Sequence, residues 1–188
     1  MNIQSILVPI RQRLLKIKND NLHQININIK ESTNSKTRID ILKEGTDLFK
    51  QFLNLGIVAN KENVNCLKSV QNGDLKNLVK DVSNLIVDDK DWLLYYLSAY
   101  LDFCVDFYEY DSIGKEVLEI RSGYQFMIDL FKGCNENIDL EFQKFSYEIG
   151  EDFDKKLLGS KEYGTLKVIE KDMPRDIPTN HCWWFWNR

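Results

Sequence analysis

The chain has 188 residues, of which 43% are hydrophobic and 12% aromatic, and its net charge of −4 is typical of an ordinary globular protein that folds as one domain. Its four cysteines lie at least 30 residues apart and it has only two histidines, which excludes a compact CxxC-type zinc site and favours reduced thiols. No apolar run approaches the ~20 residues of a membrane span and the N-terminus lacks a signal-peptide pattern, so we expect a cytoplasmic protein that does not bind membranes.

Residues 1–35 predict an irregular N-terminal part with one helix. Because proline disfavours a helix that runs through it, we expect residues 1–8 to be extended and a helix to run from about Pro9 to about Asn19. Apolar and polar residues alternate over residues 23–30, HQININIK, which indicates a short strand, although a loop stays open. The polar residues 31–36 predict a loop.

Residues 36–158 predict a helical core. The first helix is expected to end near Gly56, and its apolar residues share one face: Ile39, Leu42, Leu48, Phe49, Phe52, Leu53 and Leu55. A second helix is predicted over residues 62–70, followed by a turn at residues 72–73. Asp74 is expected to cap a third helix, whose apolar stripe consists of Leu75, Leu78, Val79, Val82 and Ile86.

The clearest helix that the sequence predicts covers residues 91–110. Its apolar residues form a continuous face: Trp92, Leu93, Tyr96, Leu97, Tyr100, Leu101, Cys104, Val105 and Tyr108. A second stripe on a different side is mostly acidic and contains Asp91, Tyr95, Ser98, Asp102, Asp106 and Glu109. Two further helices are predicted over residues 113–132 and 138–158, and the last carries Glu148 and Asp152 on its outer side.

Residues 159–188 predict an extended, aromatic C-terminal tail that includes a strand at residues 165–169. The chain closes on residues 181–186, HCWWFW, which could form an exposed patch for a partner or dock on the helical core. We favour docking, because four exposed large aromatic side chains would invite aggregation. The predicted fold class is mainly α: a single-domain helical bundle of about six helices with short extended or β segments near the N- and C-termini.

The charges are distributed unevenly along the chain. Residues 1–80 carry 13 Lys/Arg and 7 Asp/Glu, whereas residues 81–154, the acidic block, carry 5 against 18, a net charge of −13. Residues 155–188 carry 7 Lys/Arg and 4 Asp/Glu. A block this acidic repels itself, and its interleaved tyrosines and tryptophan are typical of a folded surface rather than a disordered tail. The pattern favours capture of a positively charged partner.

Catalytic and cofactor motifs are absent from the sequence, which has no GxxxxGK[ST], GxGxxG, HExxH or GxSxG. Acidic pairs such as Asp102/Asp106 and Glu148/Asp152 share a helical face, but no ExxH accompanies them, so a solvated acidic face is the better interpretation than a metal site. His181 and Cys182 are adjacent, and neighbours in an extended segment point to opposite faces, which disfavours a catalytic dyad. We therefore predict no catalytic residue, metal or cofactor.

The basic residues of the N-terminal third raise nucleic-acid binding as a rival hypothesis. They are scattered, without an RNP, KH or helix-turn-helix signature, and the acidic block would oppose binding to phosphates. Nucleic acid is therefore disfavoured as a partner. Two alternatives stay open: the basic third partly neutralises the acidic block, or it forms a second contact surface.

A small acidic protein without catalytic motifs resembles the immunity proteins of bacterial polymorphic-toxin systems, including contact-dependent growth inhibition. The stretch 172–186, DMPRDIPTNHCWWFW, also looks like a family signature. The resemblance implies a cytoplasmic protein, not an enzyme, that binds and neutralises a basic toxin domain, often a nuclease. On the helical phasing above, the partner-binding residues would be Asp91, Tyr95, Asp102, Asp106, Glu109, Glu148 and Asp152. An adaptor that uses an apolar groove and an enzyme of an unrecognised all-α type are the alternatives.

Overall fold

A computed structural model describes residues 2–19, 35–70, 73–94, 96–97, 115–142, 151, 154–155, 173–181 and 184, with the backbone alone for residues 35–42 and 141. In these ranges the chain is mainly helical and has no strand, so the predicted mainly α class is confirmed. The six helical elements are α1 (Ile3–Asn19), α2 (Ser35–Lys61), a 3₁₀ turn (Leu67–Ser69), α3 (Gly73–Asp88), α4 (Lys115–Phe131) and a π-helical turn (Ile138–Phe142). The strands predicted at residues 23–30 and 165–169 lie outside the described residues.

Helix α1 begins six residues before Pro9, so the predicted extended segment 1–8 is wrong. Asn2 caps the helix, since its Oδ1 accepts a hydrogen bond from the Ser5 N–H at 2.8 Å. The apolar residues recur at helical spacing through the proline, and all are buried: Ile3, Ile6, Leu7, Ile10, Leu14 and Ile17. Burying each such side chain contributes about 1.5–3 kcal/mol, which together outweighs the ~3 kcal/mol cost of one proline in a helix.

Helix α2 packs along α4, and its bounds differ from those predicted. It includes Ser35 and Lys36, which were expected in a loop, and it runs past Gly56 to Lys61. Gly56 does not end the helix, because it lies where the Phe126 ring packs closely on the α2 backbone: a Cβ there would lie 2.1 Å from the ring. The glycine therefore permits a close helix contact instead of terminating α2.

Helix α2 ends at Lys61, and no α-helix follows over residues 62–70, so the helix predicted there is wrong. Asn63 adopts a left-handed conformation with φ of 54°. The Val64 N–H donates to the Ala59 carbonyl at 2.8 Å and the Asn63 N–H donates to the Asn60 carbonyl at 3.1 Å, the pattern of a Schellman motif. The chain leaves the helix there and retains only the 3₁₀ turn, whose Leu67 is buried.

Helix α3 packs on α1 with the predicted apolar stripe, of which Val79, Val82 and Ile86 are buried. It begins at Gly73, so Asp74 lies inside its first turn rather than at the cap position. Beyond α3, residues 90–94 and 96–97 are helical, and their apolar side chains are buried as predicted: Trp92, Leu93, Tyr96 and Leu97. The rest of the helix predicted to residue 110 lies outside the described residues.

Helix α4 agrees with the helix predicted over residues 113–132, and its inward residues are buried as expected: Val117, Ile120, Tyr124, Met127 and Phe131. It ends at Phe131, and Gly133, two residues later, has a φ of 72° in the left-handed region. The next helix was predicted from Ile138, but residues 136–137 are already helical, and the π-helical turn Ile138–Phe142 follows them. Residues 151 and 154–155 are also helical.

Candidate functional site

The structure describes one of the seven residues predicted to bind a partner. Asp91 has an exposed side chain near the beginning of the helical residues 90–94, on a different side from the buried Trp92 and Leu93. The other six lie outside the described residues: Tyr95, Asp102, Asp106, Glu109, Glu148 and Asp152. The position of the acidic stripe is therefore described at Asp91 and stays a prediction for its other residues.

Three aspartates at the start of this stretch have three different environments. Asp88 is exposed and forms an ion pair with Lys18 of α1, and the hydrogen bond from Lys18 raises the pKa of that lysine. Asp89 is fully buried, and its backbone continues the hydrogen bonding between α3 and Leu93. Asp91 faces solvent. Tertiary packing therefore gives three neighbouring aspartates different roles.

Aromatic side chains of the acidic block pack into the core next to Asp91. The Tyr96 ring stacks on Trp92 at a centroid distance of 5.6 Å and on Phe49 of α2 at 5.5 Å. Its hydroxyl lies 3.0 Å from the Thr46 hydroxyl. This stack holds Trp92 and Tyr96 against α2, so the backbone that carries Asp91 is packed on the core.

Basic residues of the N-terminal third form ion pairs with the acidic block. The pairs across the two regions are Arg11–Asp81, Lys18–Asp88, Lys50–Glu116 and Lys50–Glu119. They join α1 to α3 and α2 to α4, and most of their side chains are substantially exposed. Such pairs contribute about 0–1 kcal/mol each, so their main effect is on the charge balance of the surface. The alternative in which the basic third partly neutralises the block is supported.

A second group of charged side chains, which the sequence analysis did not identify, lies on α4. The Arg121 side chain is 6% exposed and binds Asp154 through two hydrogen bonds, Nε to Oδ1 at 2.9 Å and a terminal nitrogen to Oδ2 at 3.1 Å. Arg121 also donates to Gln125 at 3.2 Å, and Gln125 donates to Asp129 at 3.0 Å. Burial raises the pKa of Asp129. In the sequence, the i, i+4 spacing of Arg121, Gln125 and Asp129 was the feature that could have predicted this group.

The described part of the C-terminal tail docks beside this group. The Trp184 Nε1–H donates to the Ser122 hydroxyl at 2.7 Å, and the His181 ring lies 4.6 Å from the Phe126 ring. Both tail side chains are buried. For these two residues the structure shows packing on α4 rather than an exposed aromatic patch.

Burial, and secondarily the charge of Arg121, lowers the pKa of His181 to about 4. His181 is therefore neutral at pH 7. In the described ranges, no three His, Cys, Asp or Glu side chains come together in a group suited to a metal ion. A search of the same residues for a helix long and apolar enough to cross a membrane found none.

We expect stability to fall as the pH is lowered from about 6.5 to about 4, because unfolded His181 takes up a proton over a range in which the folded protein keeps it neutral. The loss is up to about 3 kcal/mol and is complete near the folded pKa. Urea unfolding at several pH values measures it. His181→Gln should flatten this dependence, whereas His23→Gln, at the only other histidine, should leave it unchanged. An undiminished pH dependence in His181→Gln would contradict the assignment.

Comparison with known proteins found no matching family model, curated protein or solved structure. Function is therefore inferred from the residues of this chain.

Proposed function

We propose that this protein binds a basic protein partner through its acidic block and that the partner is a toxin domain, which makes the chain a cytoplasmic immunity protein. The observation that carries the proposal is the net charge of −13 over residues 81–154, in a chain whose described residues are mainly helical. Acidic surfaces on rigid helices increase the rate of encounter with basic proteins and reject partners of the wrong charge.

The distribution of ion pairs supports this proposal. Asp81, Asp88, Glu116 and Glu119 pair with the basic third, and Asp154 pairs with Arg121 inside the fold. Asp91, which begins the predicted acidic stripe, presents its side chain to solvent.

The aromatic packing limits which side chains of the acidic block a partner could contact. Trp92 and Tyr96 are buried in the stack with Phe49, so they support the helix and do not contact a partner. The proposed contact surface is therefore mainly acidic, with Tyr95 as its aromatic anchor. In such a surface the charges set the association rate, and a buried aromatic contributes to affinity.

The first experiment is affinity capture from the source organism, followed by mass spectrometry and by binding measurements with the purified partner. We expect a basic toxin domain whose association slows between about 50 mM and about 300 mM salt, because salt screens exposed charges. A partner that is acidic, or whose association is insensitive to salt, would contradict the proposal and favour an adaptor that uses an apolar surface.

The second experiment reverses charges on the predicted stripe. Asp102→Lys with Asp106→Lys should slow association by about tenfold or more at low salt and make it less sensitive to salt. Asp91→Lys should have the same effect to a smaller degree. Glu62→Lys is the matched control for Asp91→Lys, because it makes the same charge change at an exposed site just beyond the end of α2. At 1.5 Å per residue that site is about 24 Å from Thr46, which contacts Tyr96. If the double variant associates like the wild type, the acidic stripe is not the interface.

A further inference from the structure

Two cysteines that are far apart in the sequence meet at the end of α4. Cys66 precedes the 3₁₀ turn Leu67–Ser69, and its thiol donates a hydrogen bond to the Lys132 carbonyl at 3.0 Å. Cys134 follows Lys132 by two residues, and its sulfur lies 4.0 Å from the Leu130 carbonyl oxygen. Both are free thiols and both are partly buried.

The backbone around Cys134 is held in place from several sides. Gly133 takes a left-handed conformation, and its N–H donates to the Asp139 carboxylate at 3.0 Å. The Cys134 N–H donates to the Phe131 carbonyl at 3.0 Å. The Lys68 side chain covers Gly133, since its Cδ lies 3.1 Å from where a Cβ on Gly133 would be. The 3₁₀ turn and the end of α4 therefore form one packed unit.

Both thiols lie at the end of α4 in this unit: the Cys66 thiol is 3.0 Å from the Lys132 carbonyl oxygen, and Cys134 follows Lys132 by two residues. Burial is the largest cause that raises the pKa of Cys134 to about 12, and the neighbouring Cys66 thiol acts in the same direction. Because the Cys66 thiol lies on the Lys132 carbonyl, two residues before Cys134, small side-chain movements would bring the two sulfurs into the range from which a disulfide forms. The nearby Lys68 ammonium offsets the rise in the pKa of Cys134 only in part.

We propose that Cys66 and Cys134 form a reversible disulfide that ties the 3₁₀ turn to the end of α4 when a low-molecular-weight disulfide is present as oxidant. The Cys66 thiolate attacks one sulfur of the oxidant, forms a mixed disulfide and releases one thiol. The Cys134 thiol then gives its proton to the leaving sulfur as its own sulfur attacks that of Cys66, which closes the protein disulfide and releases the second thiol. The protein loses two hydrogens, which the two released thiols carry, and the oxidant is reduced.

The cross-link would constrain the chain between the two cysteines, which contains α3, Asp91 and most of the predicted acidic stripe. Closing a long loop reduces the conformational freedom of the unfolded chain, so the oxidised protein should unfold at a higher temperature by about 5–10 °C. This inference is independent of the proposed function, since it concerns the folded chain without a partner.

The test equilibrates the native full-length protein in mixtures of oxidised and reduced glutathione, followed by peptide mass mapping and thermal unfolding. We expect one linked peptide pair that contains Cys66 and Cys134, lost on addition of dithiothreitol, together with the higher unfolding temperature. Cys66→Ser and Cys134→Ser should each abolish both effects, whereas Cys104→Ser should abolish neither.

Three results would overturn the proposal. These are a wild-type protein that retains all four thiols in oxidised glutathione, one that carries only glutathione adducts, and one whose linked peptides join Cys66 or Cys134 to Cys104 or Cys182 instead. The mapping of the wild type decides among them even if a serine variant fails to fold.

Discussion

Gly123→Ala is expected to destabilise the protein by about 2–3 kcal/mol, although alanine is the better helix former. Gly123 lies at the crossing of α2 and α4, where an added Cβ would lie 1.9 Å from the Phe49 carbonyl oxygen. A backbone oxygen cannot rotate away as a side chain can, so the two helices would have to separate. The cost of such overpacking, about 3 kcal/mol or more, exceeds the gain of about 1 kcal/mol in helix propensity.

Urea unfolding followed by far-UV circular dichroism measures this effect. Gly73→Ala is the matched control: it makes the same chemical change at the start of α3, where no atom lies within 4 Å of the added Cβ. It should leave stability unchanged or raise it by up to about 1 kcal/mol. A Gly123→Ala variant as stable as Gly73→Ala would mean that α2 and α4 do not approach as closely as described.

Arg121→Met is expected to cost about 3 kcal/mol, because it leaves Asp154 without the partner that binds it through two hydrogen bonds. The arginine itself is buried, whereas the Asp154 side chain is 30% exposed, so water recovers part of the loss. Removing the arginine also deprives Gln125 of a donor and breaks the chain of bonds to Asp129. The expected loss is therefore large, but below that of a fully buried pair.

The control is Lys155→Met, which removes the exposed Lys155–Glu151 pair on the same part of the chain and should cost less than about 0.5 kcal/mol. A double-mutant cycle with Asp154→Asn isolates the energy of the Arg121–Asp154 interaction. A coupling energy near zero, or equal losses in Arg121→Met and Lys155→Met, would show that the buried pair does not contribute to stability.

Local patterns in the sequence predicted the helices that have strong apolar periodicity. The stripe of α3 and the inward residues of α4 lie where their spacing placed them, because a 3.6-residue period depends only on neighbours in the chain. The predicted start of α1 at Pro9 was wrong, because burial of the surrounding apolar residues outweighs the local cost of a proline in the helix. At Gly56 the sequence also favoured an end, while a ring from α4 made the glycine a contact point.

The features of the candidate site likewise separate into those that the sequence determines and those that depend on tertiary packing. The sequence alone determined the charge asymmetry and the exposed position of Asp91, because charge follows from composition and the position follows from helical phasing. Only the tertiary structure decided which acids are neutralised within the fold, that Arg121 and Asp154 pair, and that Cys66 meets Cys134. These contacts join residues 33 to 70 positions apart. How helices cross, and not the pattern within any one of them, sets which of those residues meet.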